Sequence, residues 1–123
     1  MKNTILALSA AAEAGTGVLL LAWPPIVVRL LFGVELTGAA VIISRIAGIA
    51  LIGLGVSCWP RNFSLQSING MLTYSTLAMM YLIYIGVRGE AVGVLLWPAV
   101  VVHAILVVFL VGARFKEQNT PTA

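Results

Sequence analysis

The sequence contains no aspartate, one histidine, one cysteine and only 9% charged residues in 123. A soluble domain carries about 25% charged residues, so this chain cannot cover a water-facing surface. The single Cys58 excludes an internal disulfide and any CxxC motif, and a lone cysteine beside apolar residues reads as a packing group. Without aspartate there is no Ser-His-Asp set, and one histidine excludes HExxH and a bis-histidine haem site within one chain. No glycine-rich phosphate loop is present. The net charge of +3 comes from seven Lys/Arg spread along the chain, with no basic run, so nucleic-acid binding has no support. Nothing in this inventory is a catalytic motif, a metal set or a cofactor signature.

What the chain does have is apolar length, with 61% hydrophobic residues. About 20 mainly apolar residues cross the hydrocarbon core as a helix. Four stretches meet this length, approximately 4–22, 38–59, 68–87 and 92–112. "WPP" (23–25) ends the first, because proline removes a donor and restrains its predecessor. "WPRN" (59–62) ends the second, and "RGE" (88–90) separates the third from the fourth. Pro98 falls early in the fourth span, where a kink or a first-turn position is tolerated. The start, "MKNTILALSAAAEAG", has elements of a signal peptide, but the apolar run resumes at once as "GVLLLAW". It is expected to be a retained span. Between the first two spans, Ile26 to Phe32 is too short to cross and carries Arg29, which predicts a short interfacial helix.

The expected fold is therefore all-α: an integral membrane four-helix bundle with a short interfacial helix between helices 1 and 2. It forms one domain over 1–115, with a polar tail at 116–123. Lys2, Arg61, Arg114 and Lys116 fall on one side and Arg29 and Arg88 on the other. That bias predicts cytoplasmic termini in a bacterial inner membrane. Trp23, Trp59 and Trp97 lie near helix ends, as an interfacial aromatic belt requires.

Polar groups inside the spans are the candidate site. Glu13 is central in the first span and His103 in the fourth, and Arg45 lies a few residues from the centre of the second. An unpaired charge at such depth is costly, so Glu13 and Arg45 are expected to pair. The pair reads either as a structural lock or as a ligand or proton site. Tyr74, Tyr81 and Tyr84 recur on one face of the third span, where they either fill a core or cradle a hydrophobic or cationic ligand. His103 reads as hydrogen-bonded packing or as a ligand residue. Glu35 is expected to cap the second span or pair with Arg29.

Two resemblances follow from these residues. "AAEAGTG" (11–17), with the size and span number, resembles the small multidrug resistance exporters, whose first helix carries an essential carboxylate. In this chain Gly-Thr follows Glu13 one residue early, and that family's tryptophan motif is absent from "MLTYSTLAMMYLIYIG" (71–86). "SRIAGIALIGLGVSCW" (44–59), an arginine opening a glycine-rich helix after an amphipathic loop, resembles the DoxX-like four-helix membrane proteins. That resemblance implies a fold more than an activity. The expected function is non-enzymatic: a subunit or partner of a membrane complex, with other membrane subunits or further copies of itself as partners, or a binder of a hydrophobic ligand around the Glu–Arg pair. The alternatives are a proton-coupled exporter using Glu13, and a quinone- or haem-linked redox component.

Overall fold

The computed structural model describes residues 2–60 and 64–119. Among them it contains five α-helices and no strand: α1 (Lys2–Ala22), α2 (Pro24–Phe32), α3 (Ala39–Ser57), α4 (Leu65–Arg88) and α5 (Leu96–Gln118). Four helices are long and apolar enough to cross a membrane: Asn3–Ala22, Ala39–Ser57, Leu65–Arg88 and Leu96–Gln118. Their outward side chains, such as Ile42, Ile43, Ile46 and Ile49 on α3, are apolar and exposed. So large an exposed apolar surface belongs in lipid, not water. The chain is a multi-pass membrane protein built as an all-α four-helix bundle with one short additional helix.

The helix ends follow local chemistry. Trp23 still donates its N–H to the Leu19 carbonyl at 2.8 Å, and Pro24 and Pro25 then open α2 where a missing N–H costs nothing. Gly33 closes α2 at φ 68°, a left-handed conformation glycine adopts without strain. α4 starts at Leu65, three residues before the expected 68, because the Ser64 hydroxyl accepts from the Ser67 N–H at 3.2 Å and caps it. α5 starts at Leu96, four residues later than expected. The preceding loop is bonded to α2 instead, with Gly93 N–H donating to Leu31 O (2.9 Å) and Leu95 N–H to Leu30 O (2.8 Å). A Cβ on Gly93 would overlap the Leu30 carbonyl, so this crossing requires glycine. Pro98 consequently falls in the first turn of α5 and causes no break. At its far end α5 runs on to Gln118, so Lys116, Glu117 and Gln118 are helical, not tail. Residues 120–123 of that tail, and Arg61, lie outside the described residues.

Two helix pairs dominate the packing. α1 and α3 touch backbone to backbone: a Cβ on Gly17 would lie 2.6 Å from Gly48 O, and one on Gly55 would lie 2.6 Å from Ala10 O. Small residues at such a contact are how membrane helices gain dispersion contact without a hydrophobic driving force. α4 packs on α5, with Gly86 against the Trp97 ring. The pairs meet along a narrower seam, where α1 touches α4 and α5. Near the chain termini the seam is closed by Leu6, Ala10, Cys58, Met71 and Leu110. At the opposite end Leu82, Leu96 and Val100, backed by Phe32 of α2, form a second cluster without α1. Cys58 belongs to the first cluster. Its Sγ donates to Ser67 O at 3.6 Å, and burial pushes the thiol above its ordinary range, leaving it a packing group.

The glycines of α3 give a test with opposite signs. A Cβ at Gly53 meets nothing within 4 Å, whereas at Gly48 it meets Gly17 O at 2.7 Å. Gly53→Ala should raise stability by up to about 1 kcal/mol through helix propensity. Gly48→Ala should lower it by about 1–3 kcal/mol through overpacking. Thermal unfolding in detergent reads both, and equal shifts would contradict the close contact.

Candidate functional site

Between the two apolar clusters lies a polar layer. Glu13, on α1 one turn beyond the fully buried Ser9, is only 4% exposed. It projects across the seam toward α5, where His103 Nε2 lies 3.6 Å from its Oε1. Tyr74 of α4 comes within hydrogen-bonding reach of the same carboxylate, so its O–H can donate there. The Tyr74 and His103 rings sit 6.2 Å apart, tilted at 53°. Three helices from both halves of the bundle thus converge on one carboxylate.

The histidine is oriented by its own helix. His103 Nδ1 lies 2.8 Å from Ala99 O, one turn back on α5. A carbonyl oxygen only accepts, so Nδ1 carries the proton in that bond. Nε2 is left as the exchangeable position, and it faces Glu13. It is buried, with no hydrogen-bond partner at shorter range. One proton can therefore sit on either side of this contact, as carboxylate facing imidazolium or as carboxylic acid facing imidazole. Both arrangements are neutral overall, which a low-dielectric layer tolerates.

Arg45 is not part of this site. The expected Glu13–Arg45 pair is corrected by the register of α1 on α3. Gly17 opposite Gly48, and Ala10 opposite Gly55, put Glu13 level with Ile52 and Arg45 level with Leu20. The offset is seven residues, about 10 Å along the axis. Arg45 is also exposed, because Gly48 and Gly55 take the inward face of α3. It lies six residues inside the Ala39 end of α3, about 9 Å. Helical side chains lean toward their N-terminus, and an arginine stem of this length can reach toward the headgroups at that end. Among the described residues it has no ion-pair partner.

The tyrosines separate as well. Tyr74 is half-buried beside Glu13, where α1 closes over α4. Tyr81 and Tyr84 are 64% and 56% exposed and stack on each other at 6.3 Å on the outside of α4. Arg88 lies over the Tyr84 ring at 5.8 Å and pairs with Glu90 at 2.8 Å. At that level the core is made by α2, α4 and α5, and no neighbour covers the tyrosines. Glu35 lies 3.9 Å from Arg29, both fully in the open, a loose surface pair. Among the described residues no group of three or more His, Cys, Asp or Glu could hold a metal ion. A shallow apolar groove on the outside of α5, lined by Ala104, Ile105, Val108 and Phe109, includes none of the site residues.

Two polar residues of α4 escaped the sequence reading. Ser75 is fully buried, and its Oγ has no partner; Asn69 Oδ1 is buried and unpartnered too. The available signal was spacing, since Ser75 falls on the same face as Ile68, Met71 and Leu82.

The contact makes a measurable claim about coupling. Combining Glu13→Gln with His103→Gln should depart from additivity by about 0.5–3 kcal/mol, as touching residues do. Combining Glu13→Gln with Arg45→Gln should be additive to within about 0.5 kcal/mol, as for distant sites. Thermal stability cycles in detergent distinguish the two, and coupling to Arg45 alone would refute the geometry.

No protein-family model matches the chain, and no curated protein or solved structure is significantly similar to it.

Proposed function

We propose that the chain is a non-enzymatic multi-pass protein of a bacterial inner membrane, with cytoplasmic termini, that binds a small hydrophobic cation against Glu13 in exchange for a proton. One observation carries this reading: the partner of Glu13 is His103 and not an arginine. An arginine stays protonated at every physiological pH and would hold the carboxylate permanently. An imidazolium, unlike a guanidinium, can give up its proton and so release the carboxylate to another cation. The charge arithmetic then gives the stoichiometry. Glu13 and His103 with one shared proton are neutral; losing that proton leaves one negative charge, which a monovalent cation neutralises. The Tyr74 ring beside the carboxylate adds an aromatic face of the kind that attracts organic cations. This keeps the exporter-like use of Glu13 that its "AAEAGTG" setting implies, within the four-helix layout that the DoxX-like resemblance implies.

A second reading, a subunit of a larger membrane complex, draws on the outer face of α3. That helix packs mainly on α1, and its exposed Arg45 lies among exposed isoleucines. An acidic group on another membrane chain would match it. The lipid bilayer itself is the first partner in either case.

Equilibrium binding of tetraphenylphosphonium to the detergent-solubilised protein tests the cation reading. Protons compete for the site, so affinity should rise with pH, approaching tenfold per unit while one proton is released. Glu13→Gln should abolish both the binding and its pH dependence, with the fold retained. Affinity that is flat with pH, or that survives Glu13→Gln, would contradict the proposal.

A further inference from the structure

We propose that Glu13 and His103 exchange their proton with the aqueous phase on the side of the chain termini, along the seam lined by Ser9 and Ser75. The proposal rests on the proton-exchange reading of the site and adds its sidedness. Lys2 of α1, Ser57 of α3, Leu65 of α4 and Gln118 of α5 all lie at the same end of the bundle.

The argument is an asymmetry of buried polar atoms. Two lie between Glu13 and the terminal end or level with it. Ser9 is fully buried four residues before Glu13, about one helical turn. Its hydroxyl donates to Ile5 O at 2.9 Å and keeps its acceptor capacity. Ser75 is fully buried next to Tyr74, with no partner for Oγ. Toward the opposite end the described residues supply no fully buried polar side chain: Leu82, Leu96 and Val100 fill the core there, with Phe32 and Ile85 against them.

Buried polar atoms without protein partners are the groups that bind internal water, and apolar walls of this kind stay dry. Among the described residues the terminal end is closed by Leu6, Ala10, Cys58, Met71 and Leu110, across a seam where α1 touches α4 and α5 far less than it touches α3. Opening that seam by a few ångströms gives water the unpartnered oxygen of Ser75. In the exchange, a hydronium O–H bond breaks and an Nε2–H or Oε1–H bond forms; the released proton returns along the same seam. The groups facing the site are Glu13 from α1, Tyr74 from α4 and His103 from α5, and α3 adds no charged group.

Single-cysteine labelling tests the sidedness. In a Cys58→Ala background, a membrane-impermeant methanethiosulfonate is applied to sealed vesicles of either orientation. Asn119→Cys marks the terminal side and Gly89→Cys the opposite side, so no orientation is assumed. Ser75→Cys, and independently Ser9→Cys, should react from the Asn119 side at least tenfold faster than from the Gly89 side. Val100→Cys should react from neither. Faster labelling of the two serine positions from the Gly89 side, equal labelling from both, or labelling from neither overturns the proposal. Tetraphenylphosphonium binding by Glu13→Gln is read in parallel. Lost pH dependence with unlabelled serine positions refutes the route and leaves the cation site standing. Unchanged pH dependence refutes the cation site whatever the labelling.

Discussion

The contact between the backbones of α1 and α3 sets everything else in this molecule. Gly17, Gly48 and Gly55 allow an approach that any Cβ would obstruct. In lipid, where apolar side chains gain nothing by leaving their solvent, this close contact is a main source of helix affinity. It also fixes rotation and register together. With the glycines of α3 turned inward, Arg45 must point outward. With Gly17 on Gly48, Glu13 is carried to the level of Ile52 and faces the other helix pair. The buried carboxylate then meets His103 and Tyr74, because these are the polar groups α5 and α4 present at that height.

The site is assembled across the boundary between two tight pairs, not within either. α1 and α3 form one unit and α4 and α5 the other, and Glu13 is held from the opposite side of the seam. A change of charge at this contact therefore acts on the narrow junction between the two pairs. A carboxylate facing imidazolium draws the pairs together. An extra charge of either sign is unfavourable in that layer until water or a counter-ion enters. Local chemistry and helix movement are linked by position alone. That linkage is what a protein needs if binding a proton or a cation is to alter its shape.

Span number, helix boundaries at "WPP" and "RGE", and the short helix after the first span were all legible in the sequence, because proline, glycine and apolar length act locally. The depth of Glu13 and His103 was legible too, since it follows from counting residues. Direction was not. Arg45 and Gly48 are three residues apart, about 60° around the helix, too close for helical spacing alone to say which one faces the neighbour. The complementarity of Ala10 and Gly17 with Gly55 and Gly48 held the missing register, and with it the absence of a Glu13–Arg45 contact. The start of α5 was hidden for another reason: Leu30 and Leu31 hold Gly93 and Leu95 by backbone bonds, which no side-chain pattern records. Ser64 was the plainest omission, an N-cap three residues before another serine.

The central claim is that Glu13 and His103 share one exchangeable proton at Nε2, with Nδ1 held by Ala99. The chain has a single histidine, so ¹⁵N-labelled histidine reports this ring alone. In lipid bilayers, nitrogen NMR should show Nδ1 protonated across the titration while Nε2 alone gains and loses its proton, and Glu13→Gln should shift that titration. A neutral ring carrying its proton on Nε2, or a titration unchanged by Glu13→Gln, would contradict the account.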